Sequence, residues 1–123
     1  IRHYREMHDL NHVHFFKNML PKDFLRLLHN SIALVGNSSA GIRECAFLGV
    51  KAVNIGNRQE GRDRGTNVID VDYDRIKIKE AILDSISSER PRQNYLYGDG
   101  SSGKKIADIL ATIKLPYSKI LQY

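Results

Sequence analysis

With 123 residues, 41% of them hydrophobic, the chain carries enough apolar material for one core and too little for two, so a single globular unit is expected. No apolar run approaches the roughly 20 residues of a membrane span, and a lone cysteine, Cys45, cannot close an internal disulfide. The net charge of +5 invites a nucleic-acid reading, but acids are mixed among the bases, Trp is absent and no basic run is interleaved with aromatics, which leaves a solvated surface of basic bias that equally suits a small phosphorylated ligand.

The chain opens Ile1-Arg2-His3-Tyr4, with no methionine and no apolar leader. That start reads as an excised segment without targeting information, and a soluble, cytoplasmic protein is the default expectation. Residues 1–9 read as the tail of a helix, and Asn11 to Phe16 alternate polar and apolar side chains like a short strand. Pro21-Lys22-Asp23 opens a helix carrying Phe24, Leu25, Leu27 and Leu28, with proline at a favourable first-turn position. Ile32 to Val35 is short and continuously apolar, as a buried strand is. After the turn Gly36-Asn37-Ser38-Ser39-Ala40-Gly41, Ile42 to Leu48 reads as a helix stopped by Gly49.

Ala52 to Ile55 is another short apolar run, followed by the polar, glycine-rich loop Gly56 to Asn67 and a strand at Val68 to Val71. Helical periodicity returns through Tyr73 to Ile86, in Ile76, Ile78, Ala81, Ile82 and Ile86. Ser87 to Asn94 is a linker, Tyr97 to Ser101 a turn and helix cap, and Lys104 to Ile113 the last helix. Short buried strands alternating with helices predict an α/β fold, a doubly wound, mostly parallel sheet with helices on both faces.

In such sheets ligands sit at the carboxyl ends of the strands. The turn after Val35 lies at one of these ends, and a helix start there presents unpartnered N–H groups and a positive dipole end to an anion. Ser38 and Ser39 add hydroxyls, and Gly36 and Gly41 let the backbone come close. Simple helix capping would use the same residue types. The stretch matches neither G-x-G-x-x-G nor G-x-x-x-x-G-K-[ST]. Two neighbours add to it. Glu44 stands about one turn further on, where a carboxylate can accept from a ribose diol, and Arg58, with Arg62 and Arg64, lies on the loop after the next strand, where a guanidinium fork suits a diphosphate.

The ordered set Gly36-Asn37-Ser38-Ser39-Ala40-Gly41-Ile42-Arg43-Glu44, Asn54-Ile55-Gly56-Asn57-Arg58-Gln59-Glu60-Gly61-Arg62, Asn67-Val68-Ile69-Asp70-Val71 and Tyr97-Gly98-Asp99-Gly100 resembles the C-terminal part of UDP-N-acetylglucosamine 2-epimerases. The form G-N-S-S-x-G-x-x-E is similar to the hydrolysing branch, which releases UDP and N-acetylmannosamine for sialic-acid-type synthesis. The resemblance implies a Rossmann-like, partial C-terminal domain of a glycosyltransferase-B-like fold, with the UDP-sugar in a cleft between two domains. It implies that Ser38 and Ser39, on the turn closed by Gly41, hold the diphosphate, that Glu44 takes the ribose hydroxyls, that Arg58 contacts the nucleotide and that Leu20 flanks the uracil. Two departures stand out. Gly49-Val50-Lys51-Ala52 lacks a proline frequent in the family, and the family's N-terminal domain lies outside these residues.

The implied reaction eliminates UDP across C1 and C2 of the sugar and then hydrates the glycal. Its acids and bases would belong to the absent domain, so no proton-transfer residue is assigned and the segment alone is expected to be inactive. UDP or UDP-N-acetylglucosamine is the expected ligand. No cofactor is called for, and although His12 and His14 would share one face of a strand, no third metal ligand accompanies them. A sheet stripped of its first strands would expose an edge that invites self-association. A glycosyltransferase-B-like transferase that binds the same nucleotide is the alternative, and the residues of the missing domain would separate the two.

Overall fold

The structure, a computed structural model, describes residues 2–114. Its centre is a three-stranded parallel sheet of β1 (Ala33–Gly36), β2 (Lys51–Ile55) and β3 (Val68–Val71), in that order. Leu34 pairs with Ala52 and Ala52 with Val68, which places the three chain ends Gly36, Ile55 and Val71 along one edge. The expected parallel α/β sheet is therefore present.

Helices cover both faces. On one lie α2 (Pro21–His29) and α3 (Glu44–Leu48), after the short α1 (Arg2–Met7). Their core joins Leu28, Cys45, Val50 and Ala52, with Phe24, Leu34, Leu48 and Val68 packed around it. Side chains alternate along a strand, so Lys51 and Val53 point the other way, under α4 (Arg75–Ser87). The Lys51 ammonium there donates to the Ser85 carbonyl at 2.9 Å. A last helix, α5 (Ser102–Thr112), follows the 88–101 segment and buries no residue. None of the helices among the described residues is long and apolar enough to cross a membrane.

Local chemistry accounts for the boundaries. Asp74 caps α4, accepting from the amides of Ile76 at 2.8 Å and Lys77 at 3.1 Å, and these donors hold its carboxyl below the usual carboxylate range. Gly49 ends α3 with φ 64°, and a Cβ there would sit 2.7 Å from the Pro91 carbonyl. The 88–101 segment is tied to this end: Arg90 donates to the carbonyls of Gly49 at 2.8 Å, His29 at 2.7 Å and Leu48 at 3.1 Å. One guanidinium thereby satisfies carbonyls at the ends of two helices.

Two expectations are corrected. Residues 11–16 form a turn and irregular chain, not a strand. Period-two alternation stabilises a strand only when a neighbour pairs with it, and among the described residues no strand pairs with this exposed segment, where the Arg5 guanidinium lies 4.1 Å from the centre of the Phe15 ring. The helix expected over 42–48 is present but begins two residues later, as α3 from Glu44, after a separate 3-10 turn at Ser39–Gly41. Asn67 bears on this later start. Its buried amide donates to the Gly41 carbonyl at 3.0 Å and to the Val50 carbonyl at 3.1 Å, occupying an acceptor that a continuous helix would offer to the amide four residues on.

Candidate nucleotide site at the carboxyl edge of the sheet

Gly36 ends β1 with φ 145°, a backbone conformation that favours glycine. The chain then turns through Asn37 into the 3-10 turn, where the Ser38 hydroxyl accepts from the Ala40 amide at 3.3 Å. A hydroxyl that accepts one bond keeps its hydrogen to donate. The amides of Ser38 and Ser39 have no acceptor among the described residues. Ser38 is exposed and Ser39 half-buried. The turn therefore presents a cluster of N–H and O–H donors at the strand ends.

Gly41 does something different from Gly36. It is buried, and a Cβ at this position would lie 3.1 Å from the Ala52 Cβ and 3.6 Å from Leu34 Cδ2. Its missing side chain lets the 3-10 turn pack on the sheet.

The loop after β2 comes to the same edge. Arg58 is exposed and reaches back so that its Nη1 lies 3.5 Å from Asn37 Oδ1, the outer limit of a hydrogen bond. Its neighbour Gln59 is buried and donates from Nε2 to the Asn37 carbonyl at 2.8 Å. Arg64 is committed elsewhere: its Nε donates to Asp70 Oδ2 at 2.6 Å and its Nη2 to the Gln59 carbonyl at 3.0 Å, with a further bond to the Arg62 carbonyl. Arg62 is exposed. Of the three arginines, Arg58 is thus the one that the fold directs to the serine turn.

Glu44 opens α3 and faces a second space, a cavity of about 350 Å³ bounded by Leu25, Phe47, Asn94, Tyr97 and Gly98. The distant Tyr97-Gly98-Asp99-Gly100 stretch is brought to Glu44 by two anchors, Asn94 N–H on the Ala46 carbonyl at 2.8 Å and the Tyr97 hydroxyl on the Asp63 carbonyl at 2.7 Å. Ser38, Ser39 and Arg58 lie outside this cavity. Leu20, exposed just before α2, also lies outside it, although its helix reaches the wall through Leu25. Cys45, next to Glu44, is fully buried, and burial with a smaller push from the Glu44 charge raises its thiol to about 12. It is a core residue and not a helix-activated thiolate. Among the described residues no cluster of His, Cys, Asp and Glu could hold a metal ion.

Residue type and order point to Ser38, Ser39, Glu44 and Arg58 but not to the roles of Asn37, Gln59, Asn54 and Asp70, which with Arg64 link the loop after β2 to the start of the serine turn. A glutamine inside a polar loop carries no local sign that it will be buried.

Residues 2–111 match the family model described as UDP-N-acetylglucosamine 2-epimerase. The chain belongs to this family. It is 36% identical over 109 residues to a UDP-N,N'-diacetylbacillosamine 2-epimerase (hydrolyzing) of Legionella pneumophila, covering 89% of this chain and 29% of that protein. It is 34% identical over 90 residues to a UDP-N-acetylglucosamine 2-epimerase of Neisseria meningitidis, covering 71% of this chain and 24% of that protein. A Polysialic acid biosynthesis protein P7 of Escherichia coli is 44% identical over 61 residues, 50% of this chain and 16% of that protein. The epimerase-family chain spans less than a third of the length of these curated relatives.

Proposed function

We propose that this chain is the UDP-holding part of a hydrolysing 2-epimerase acting on a UDP-linked acetamido sugar. The observation that carries the proposal is the convergence of Arg58 on the Asn37-Ser38-Ser39 turn, across two strand ends, with Glu44 one short turn further on. Phosphate donors on the serine turn and a diol acceptor at the start of the helix that follows it are the groups that a nucleoside diphosphate needs.

Elimination begins when a base takes the proton from sugar C2. The C1–O bond then breaks and its electron pair leaves on UDP. Charge grows on the diphosphate as that bond opens, so donors fixed around it lower the barrier more than they tighten ground-state binding. Ser38, Ser39, their free amides and Arg58 supply those donors. Glu44 accepts the ribose hydroxyls and orients the nucleotide. Water then adds to C1 of the glycal and a proton returns to C2 from the opposite sense, releasing the free 2-acetamido sugar. The proton-transfer groups belong to other parts of the polypeptide, so this segment binds UDP without turning over the sugar.

The test is titration of the isotope-labelled chain with UDP, with UMP and GDP as controls, following backbone amides. The expected result is a set of shifts centred on residues 36–41 that weaken with UMP and shrink in Glu44→Ala. A dispersed spectrum indifferent to all three nucleotides would overturn the assignment.

A further inference from the structure

Across the carboxyl edge of the sheet, Gly36 of β1 is in register with Asn54 of β2, and Asn54 with Asp70 of β3. From this row a chain of hydrogen bonds leads back to the serine turn. Asn54 Nδ2 donates to Asp70 Oδ1 at 2.6 Å, and Asp70 Oδ2 accepts from Arg64 Nε at 2.6 Å. Arg64 Nη2 donates to the Gln59 carbonyl at 3.0 Å, and Gln59 Nε2 donates to the Asn37 carbonyl at 2.8 Å. We infer that Gln59, locked by Arg64 and Asp70, is a positioning residue that sets the spacing between Arg58 and the Ser38-Ser39 turn for a nucleoside diphosphate.

Three observations support this role. Gln59 is only 3% exposed, although both its neighbours, Arg58 and Glu60, are exposed on a polar loop. Burying an amide costs free energy unless it is hydrogen-bonded, and here the bond to the Asn37 carbonyl offsets that cost. The acceptor Gln59 Oε1 is buried with no hydrogen-bond partner among the described residues, and the donor half is the one seen engaged. The target of that donor, the Asn37 carbonyl, belongs to the peptide unit that contains the Ser38 amide. Pulling on this oxygen fixes the plane of the peptide, and with it the direction of the first free N–H of the turn. The backbone of Gln59 follows directly on Arg58. A shift of the loop would therefore move the guanidinium and the amide donors relative to each other, and rate and affinity depend steeply on such spacing.

The inference rests on the proposed UDP site, and the experiment separates the two. Dissociation constants for UDP and UMP are measured by calorimetry on the protein and on two variants. Gln59→Met keeps the volume and removes the donor. Arg64→Lys keeps a charge for Asp70 and loses the fork that joins it to the Gln59 carbonyl. The expected result is a loss of about tenfold for UDP, equal to 1.4 kcal/mol, and less than threefold for UMP in both variants, with unchanged circular dichroism. Amide hydrogen exchange of residues 38–40 should accelerate by about tenfold in Gln59→Met. Equal losses for UDP and UMP would mean general loosening and overturn the positioning role, as would unchanged UDP affinity or unchanged exchange. A wild-type protein indifferent to UDP would instead overturn the site itself, while the exchange data would still decide whether Gln59 clamps the turn.

Discussion

The ammonium of Lys51, at the start of β2, ends its reach on the Ser85 carbonyl of α4, 2.9 Å away and 34 positions along the chain. It also donates to the Ser88 hydroxyl at 2.6 Å and to the Ser88 carbonyl. All three of its donors are thereby used, and the terminal carbonyls of α4 receive the cation that a helix C-terminus favours. Lys51→Met should leave the buried Ser85 carbonyl without its ammonium donor, while the exposed Ser88 acceptors turn to water, and should lower stability by about 1–2 kcal/mol. Urea unfolding of the variant checks this, and an unchanged midpoint would show that water replaces the ammonium at no cost.

Gly41 has its role in packing, which predicts a paired effect. Gly41→Ala should destabilise the protein by roughly 1–3 kcal/mol, because the new methyl meets the Ala52 Cβ at 3.1 Å. Adding Ala52→Gly should recover part of the loss, with a coupling of about 1 kcal/mol in a double-mutant cycle. Strict additivity of the two changes would contradict direct contact between these positions.

For Glu44 the informative comparison is between ligands. Glu44→Ala should weaken UDP by roughly ten- to a hundredfold, the worth of hydrogen bonds to a charged acceptor. Binding of 2'-deoxy-UDP, which lacks one of the hydroxyls, should change much less. Equal losses for both ligands would remove Glu44 from the ribose.

The Cys45 thiol offers a pH signature. Burial, with the Glu44 charge adding to it, raises the folded thiol to about 12 from 9.0. The unfolded chain therefore loses this proton first as pH rises, and stability falls across the window between those two values. The slope from this group approaches about 1.4 kcal/mol per pH unit. Cys45→Ala should flatten that part of the urea-unfolding profile. An aromatic disulfide reagent should react with the wild-type thiol only at the rate of unfolding, and fast reaction at pH 8 would contradict its burial.

Much of the fold could be read in advance. β2 and β3 stand out as short apolar runs between turn residues, and α2 and α4 by their helical spacing, because these are local patterns that a parallel sheet with two covered faces imposes. Residues 11–16 failed for the opposite reason, since alternation describes a surface but not a neighbour. The helix after β1 was legible up to its stop at Gly49, but its start was two residues late because Asn67, far along the chain, takes up the Gly41 carbonyl through one side-chain amide.

The site divides in the same way. Backbone chemistry at a strand-to-helix turn, the hydroxyls of Ser38 and Ser39, the carboxylate of Glu44 and the charge of Arg58 are properties of residue type and order, so the chain itself specifies what the turn can donate and accept. That Arg64 is committed to Asp70 and the Gln59 carbonyl, that Gly41 is occupied with packing, and that Gln59 is buried against Asn37 came only from the folded arrangement. Hydrogen bonds between side chains and distant carbonyls depend on distances between strands, and no local stretch of sequence contains those distances.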